Sequence, residues 1–143
     1  MSQPAGYSGT PLPRKLGVRD DLIVFLDGQP PGVELGDLGA AQIVRRLPRA
    51  ADLVVTFHTR HAALARRLPT LIERTSTHGM IWVCWPKKSA RAAVAEALGV
   101  PVDLDENLVR ALALDLGVVD VKVAAIDDTW SGLKLVRRRQ DRG

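Results

Sequence analysis

Leu22 to Leu26 is an unbroken apolar run, Leu-Ile-Val-Phe-Leu, closed by Asp21 on one side and Asp27-Gly28 on the other. Five apolar positions without polar alternation predict a strand buried on both faces. Pro30-Pro31-Gly32 then forces a loop. Ile43 to Leu47 predicts a weak second strand and Leu53 to Phe57 a strong third one. From Arg60 to Thr75 the period becomes helical, with Leu64, Leu68, Leu71 and Ile72 on one face. Pro69 is expected to kink or split this helix, and His78-Gly79 to end it. Met80 to Trp85 predicts another buried strand. Ser89 to Leu98 predicts an alanine-rich helix stopped by Gly99 and Pro101. Asp105 is placed to cap a further helix carrying the stripe Leu108, Val109, Leu112 and Leu116, which Gly117 ends. Val118 to Ile126 and Trp130 to Val136 predict an antiparallel hairpin around Asp127-Asp128-Thr129. At the start, residues 1–9 are expected to be extended. Thr10-Pro11 and Gly17 bracket a short helical turn carrying Arg14 and Lys15.

Buried strands alternating with helices predict an α/β fold with a parallel sheet, and the terminal hairpin makes that sheet mixed. The expected architecture is a mainly parallel, Rossmann-like sheet of five or six strands ending in an antiparallel hairpin. The order of elements resembles the second half of a methyltransferase-type Rossmann fold, whose last two strands are antiparallel. The first half looks truncated, because little helix fits between the first and third strands.

Composition narrows the class. The chain has 143 residues, 46% hydrophobic and 25% charged, which suits one globular domain with a real core rather than a disordered or fibrous chain. A single domain over 1–143 is expected, with a basic tail over 138–143. No apolar run approaches the roughly 20 residues that span a bilayer. The start lacks the basic-then-apolar layout of a signal peptide, so a soluble cytoplasmic protein is expected. The single cysteine, Cys84, excludes an internal disulfide and agrees with a reducing compartment. The net charge is +4, and all but five of the 20 basic residues are arginine. The dense cluster Arg137-Arg138-Arg139 reads first as a solvated tail. No recognition element or aromatic platform accompanies it, which argues against a nucleic-acid partner.

Three motifs stand out against this background. They are Gly6-Tyr7-Ser8-Gly9-Thr10-Pro11-Leu12, Trp82-Val83-Cys84-Trp85-Pro86-Lys87-Lys88, and Asp127-Asp128-Thr129-Trp130-Ser131-Gly132-Leu133-Lys134. The last two hold all three tryptophans. In this order the motifs resemble those of a family of small bacterial proteins known only as a domain of unknown function. The resemblance implies no activity.

The candidate chemistry follows from the predicted strands. In open α/β sheets ligands gather at the carboxyl ends of parallel strands. Those ends deliver Asp27-Gly28, His58-Thr59, Trp85-Pro86-Lys87-Lys88 and Asp127-Asp128. The last strand runs backwards, so its start, Thr129-Trp130-Ser131, falls on the same edge. The candidate ligand-binding residues are therefore Lys87, Lys88, Thr129, Trp130, Ser131, Asp127 and His58. Lysines supply charge, the indole a flat apolar wall, and the hydroxyls orientation. Alternation puts Trp130, Gly132 and Lys134 on one face and Ser131, Leu133 and Leu135 on the other. Gly132 inside a strand predicts a bulge or a close backbone approach.

Other chemistry is not expected. A methyltransferase or dinucleotide enzyme needs a glycine-rich turn after the first strand. Here Gln29-Pro30-Pro31 removes flexibility and two N–H donors. The second strand ends in Arg45-Arg46 without an acidic residue to hold a ribose. No cofactor is expected, and no P-loop is present. His58, His61 and His78 lack metal-ligand company, so no metal site is expected. Cys84 reads as a small core hydrophobe. The expected function is a non-catalytic Rossmann-like module that binds an anionic small molecule or a protein partner at the carboxyl edge. The alternative is a diverged transferase-type enzyme using the same edge.

Overall fold

The computed structural model describes residues 9–142; Gly6, Tyr7 and Ser8 of the first motif, and all but Gly9 of the segment expected to be extended, lie outside the described residues. The elements run α1 (Leu12–Leu16), β1 (Ile23–Asp27), β2 (Gln42–Val44), β3 (Ala51–Phe57), α2 (His61–Glu73), β4 (Thr75–Pro86), α3 (Arg91–Leu98), α4 (Glu106–Asp115), β5 (Val118–Ala125) and β6 (Trp130–Arg137). The six strands form one mixed sheet in the order β2-β1-β3-β4-β6-β5. The pairs β1–β2, β1–β3 and β3–β4 are parallel. β6 pairs antiparallel with both β4 and β5, so it is the one reversed strand. This is the mixed, mainly parallel sheet with a terminal hairpin that the apolar runs predict.

The alternation of buried side chains divides the core into two layers. On the front, Val24, Leu26, Leu53, Val55, Phe57, Trp82, Cys84, Ala124 and Trp130 pack with Leu16 of α1, with Val33 and Leu35 of the loop after β1, and with Val94 of α3. On the back, Phe25, Val54, Ile81, Val83, Trp85, Leu133 and Leu135 meet Leu64, Leu68 and Leu71 of α2 and Val109 and Ala113 of α4. The alanine-rich α3 buries only Val94 among its own residues.

Local chemistry explains two of the boundaries. Asp105 caps α4 by accepting from the Leu108 backbone N–H at 2.9 Å. Gly17 ends α1 in the left-handed conformation. Between β1 and β3 there is no helix, so the first half of the sheet is shortened as expected.

Two helical expectations are revised, a split at Pro69 and a stop at His78-Gly79. α2 runs from His61 to Glu73 with Pro69 inside it and is not split. Pro69 is exposed, so its ring stands on the solvent side and the buried Leu64, Leu68 and Leu71 face is kept. His78-Gly79 does not end the helix, since β4 already begins at Thr75. The register of β3 against β4 shifts between Ala51 and Leu53. Gly79 sits at that irregularity, where a Cβ would lie 2.5 Å from Thr75 Cγ2 and 2.9 Å from the Asp52 carbonyl. The glycine is there for close packing inside a strand rather than to stop a helix.

Candidate functional site

The carboxyl ends of β1 and β3 carry a connected polar chain. Asp27 closes β1 and accepts a two-pronged ion pair from Arg67 of α2, Nε to Oδ2 at 3.1 Å and Nη2 to Oδ1 at 2.9 Å. The Thr56 hydroxyl donates to Asp27 Oδ2 at 2.7 Å. Its oxygen also meets His58 Nε2 at 2.7 Å. The single hydroxyl proton is spent on Asp27, so Nε2 carries a proton and donates to Thr56, and Nδ1 is the bare nitrogen. Burial alone would raise Asp27. The hydrogen bonds from Arg67 and Thr56, with the charge of Arg67, outweigh it and hold the carboxyl below its ordinary value. Burial pushes His58 below its ordinary value, and of the nearby charges Asp27 opposes that shift and Arg67 adds to it.

These contacts bear directly on the turn after β1. Gln29 Nε2 donates to the Val33 carbonyl at 2.7 Å, and Arg45 Nη1 donates to Gln29 Oε1 at 2.9 Å. The Val33 N–H turns back on the Pro30 carbonyl at 3.3 Å. Val33 and Leu35 then sink into the front core. A turn that is to cradle a phosphate or a nucleoside needs open backbone N–H groups and space above them. Here two prolines, a side-chain clasp and two core residues take that place. The residues present at the end of β1 do not fit a nucleotide-type cofactor.

The two tryptophan motifs meet at the carboxyl edge. Pro86 pairs with Trp130 across β4 and β6. The Lys87 N–H donates to the Thr129 carbonyl at 2.8 Å. Asp127 Oδ1 accepts from the N–H groups of Thr129 and Trp130, at 2.8 and 2.7 Å, which builds the hairpin turn. Trp130 is 4% exposed and stands edge-on to Phe57 with ring centroids 5.4 Å apart. Its indole therefore packs rather than forming an open wall. Lys87 is half-buried and Lys88 exposed, in the 3-10 turn Lys88–Ala90 that precedes α3. Ser131 points to the back with Leu133 and Leu135. His58 belongs to the Asp27 chain.

A cleft of about 1150 Å³ opens on the front face instead. Its walls include Leu12, Arg14, Lys15 and Val18 from α1 and its flanks, Met80 of β4, Lys134 of β6, and Ala125, Ile126 and Asp127 at the end of β5. Asp127 is the one of the seven candidate residues in this lining. Lys134 pairs with Trp82 on one side and with Lys122 on the other. Neither lysine forms an ion pair among the described residues. Burial, and then the charge of Lys122, push the Lys134 ammonium below its ordinary value. Gly132 lies on the same face, where a Cβ would come within 3.1 Å of Trp82 Cε3 and of Ile126 Cδ1. The expected close approach at Gly132 is thus to Trp82 of the other tryptophan motif and to Ile126.

Sequence reasoning did not single out Thr56 or Arg67. Their partner Asp27 lies 29 and 40 positions away, and no local spacing signals such contacts. Among the described residues no group of three or more His, Cys, Asp or Glu side chains is arranged to hold a metal. No helix there is long and apolar enough to cross a membrane. Cys84 is fully buried, and desolvation, with the charge of Asp127, raises its thiol far above the ordinary range. It shares the front face with Trp82 and lies opposite Trp85.

No protein-family model matches the chain, and no curated protein matches it. Solved structures do. The chain is similar to the pyocyanin biosynthetic protein PhzM, with a TM-score of 0.60 at 14% identity over 89% of this chain and 53% of that one. It is similar to magnesium protoporphyrin IX methyltransferase from Synechocystis PCC 6803 with bound SAM, with a TM-score of 0.57 at 12% identity over 82% and 70%. An O-methyltransferase from neocarzinostatin biosynthesis matches with a TM-score of 0.54 at 16% identity over 69% and 34%. The chain spans about half or less of the length of the first structures it matches, 51% and 31%. At these identities the likeness is one of fold: a Rossmann-like sheet of the methyltransferase kind.

Proposed function

We propose that this chain is a Rossmann-like module without transfer chemistry of its own, which binds an anionic small molecule or a protein partner around the carboxyl edge of its sheet. The observation that carries the reading is the closed end of β1. Structural neighbours were solved with SAM or its product bound. In this chain Arg67 and Thr56 take both oxygens of Asp27, and the loop after β1 is clasped and partly sunk into the core. The fold is kept while the turn that would receive such a cofactor is filled. Lys87, Lys88 and Lys134, which form no ion pair among the described residues, lie in the two tryptophan motifs and favour an anionic ligand. Resemblance of the three motifs to bacterial proteins of unknown function adds no activity to this reading.

The test is a thermal-shift screen with sugar phosphates, aromatic carboxylates, nucleotides, SAM and S-adenosylhomocysteine. A ligand at 100 times its dissociation constant stabilises by about 2.7 kcal/mol, which is easily read. Anions from the first two groups are expected to raise the melting temperature, and SAM is expected to leave it unchanged.

A diverged transferase is the second reading, favoured by one specific arrangement. His58 is held by Thr56, which Asp27 orients, with Nδ1 unprotonated, which is the preparation a general base needs. Conversion of SAM to S-adenosylhomocysteine by the wild type, lost in His58→Gln, would establish this reading in place of the first.

A further inference from the structure

We propose that the front cleft between α1 and β6 is a binding site for an amphipathic anion, an aromatic or aliphatic body bearing a phosphate or carboxylate, held by Lys134 with Lys122 and Lys15. The proposal rests on the reading above that the chain binds a small anion, and it assigns the place and the chemical class.

Cross-strand neighbours of like charge oppose folding, and opposite charges at such positions support it. Lys122 and Lys134 are direct partners across β5 and β6 on the front face; Lys134 lines the cleft, and Lys122 stands beside it at the rim, outside the lining. Lys134 is also half-buried, where an ammonium loses hydration. No carboxylate of the described residues pairs with either lysine. Asp127, in the same cleft, turns Oδ1 to two backbone N–H groups of the hairpin. Glu34 and Asp37, on the loop after β1, line the same cleft; Asp37 accepts from the Gly39 N–H, and Glu34 is exposed. Arg14 and Lys15 from α1 face the same cavity without ion-pair partners among the described residues. Lys134, Lys15 and Arg14 thus share the cleft with Glu34, Asp37 and Asp127 yet form no ion pair among the described residues, which leaves their charge open to an anionic ligand.

The remaining lining fixes the rest of the ligand. Leu12, Val18, Met80, Ala125 and Ile126 are apolar. A cavity of about 1150 Å³ lies somewhat above the usual size of small-molecule sites, and such sites combine apolar walls with a few convergent polar groups. Two of the three motifs line it, and the Trp82 motif supports it from below. Thr10, Pro11 and Leu12 line one wall and Lys134 another. Trp82 holds the two together, donating from Nε1 to the Leu16 carbonyl while lying beside Lys134. Solvated surface lysines would not require α1 to be pinned over them.

The test uses the full chain with 1-naphthyl phosphate, 1-naphthol and inorganic phosphate. Melting temperature and NMR shifts of the Met80 methyl and Lys134 side-chain signals are read together. 1-Naphthyl phosphate is expected to raise the melting temperature, to move both signals, and to bind at least about tenfold tighter than either fragment. Lys134→Met and Lys122→Met should each fold and melt no lower than wild type without ligand, because each relieves the like-charge pair. Each should bind 1-naphthyl phosphate at least about tenfold more weakly. Should one variant fail to fold, the other carries the test. Unchanged affinity in the folded variants overturns the proposal. So does binding that is lost in Lys87→Met with Lys88→Met and kept in Lys134→Met. That result would leave the carboxyl-edge reading standing and this one refuted. Failure of 1-naphthyl phosphate to bind refutes this site, while other anions found in the screen would still support the broader reading.

Discussion

Trp82 hangs α1 on the sheet: its indole Nε1 donates a 2.9 Å hydrogen bond to the carbonyl of Leu16, 66 residues away in the chain. Leu16 is the last residue of a five-residue helix, far too short to be stable alone. The helix stays in place because a buried donor in β4 meets its terminal carbonyl and because Leu16 itself is buried.

Trp82→Phe keeps most of the buried ring and deletes that donor. Leaving a buried carbonyl without a partner costs about 1–3 kcal/mol, and the lost ring volume adds to it. Chemical denaturation should report this loss. Hydrogen exchange should quicken at residues 12–18 more than in β1 or β3, as α1 loosens.

Acid stability follows from the Asp27 chain. His58 has a folded pKa below its ordinary 6.5, so in the interval between the two the unfolded chain binds more protons and stability rises with pH. Asp27 lies below its ordinary 3.8, which acts in the same direction at lower pH. Stability should therefore be full above about pH 6.5, fall as His58 is forced to charge, and fall again as Asp27 is protonated. His58→Gln should flatten the first fall and leave the second. Denaturation midpoints measured at about pH 7.5, 5.5 and 3.5 separate the two steps.

Cys84 should behave as packing material. It is 0% exposed, and burial raises its thiol, so little thiolate exists at neutral pH. A thiol reagent such as Ellman's should leave the native protein unlabelled over hours and react with one equivalent as soon as denaturant unfolds it. Rapid labelling of the native chain would show that the β4–β6 region opens.

Much of the fold was legible because buried parallel strands are written as unbroken apolar runs. Leu22 to Leu26 and Leu53 to Phe57 mark β1 and β3 to within about two residues, and the Asp105 cap is readable from its place before an apolar stripe. The errors have physical causes. Thr75 to Gly79 lacks a strand's apolar run, and only pairing with β3 extends β4 that far. Pro69 is a helix breaker by rule, yet it lies on the exposed side of α2, and the buried leucines decide the outcome.

The candidate site was legible in part. The meeting of Lys87 with Thr129 follows from strand direction alone. Alternation also puts Trp130 and Lys134 on one face, but it does not tell which of them the core covers. Phe57, 73 positions before Trp130, covers the indole, and α1 leaves Lys134 in an open cleft. The pairing of Lys134 with Lys122 depends on the register shift at Asp120, which no local pattern in β5 announces.

Calorimetric titration of the full chain with SAM asks whether a methyltransferase-like fold with a filled β1 turn still takes the molecule bound in its structural neighbours. No saturable heat is expected up to about 1 mM SAM, with the Asp27–Arg67 pair intact. Saturable binding with a dissociation constant in the low micromolar range would contradict this expectation.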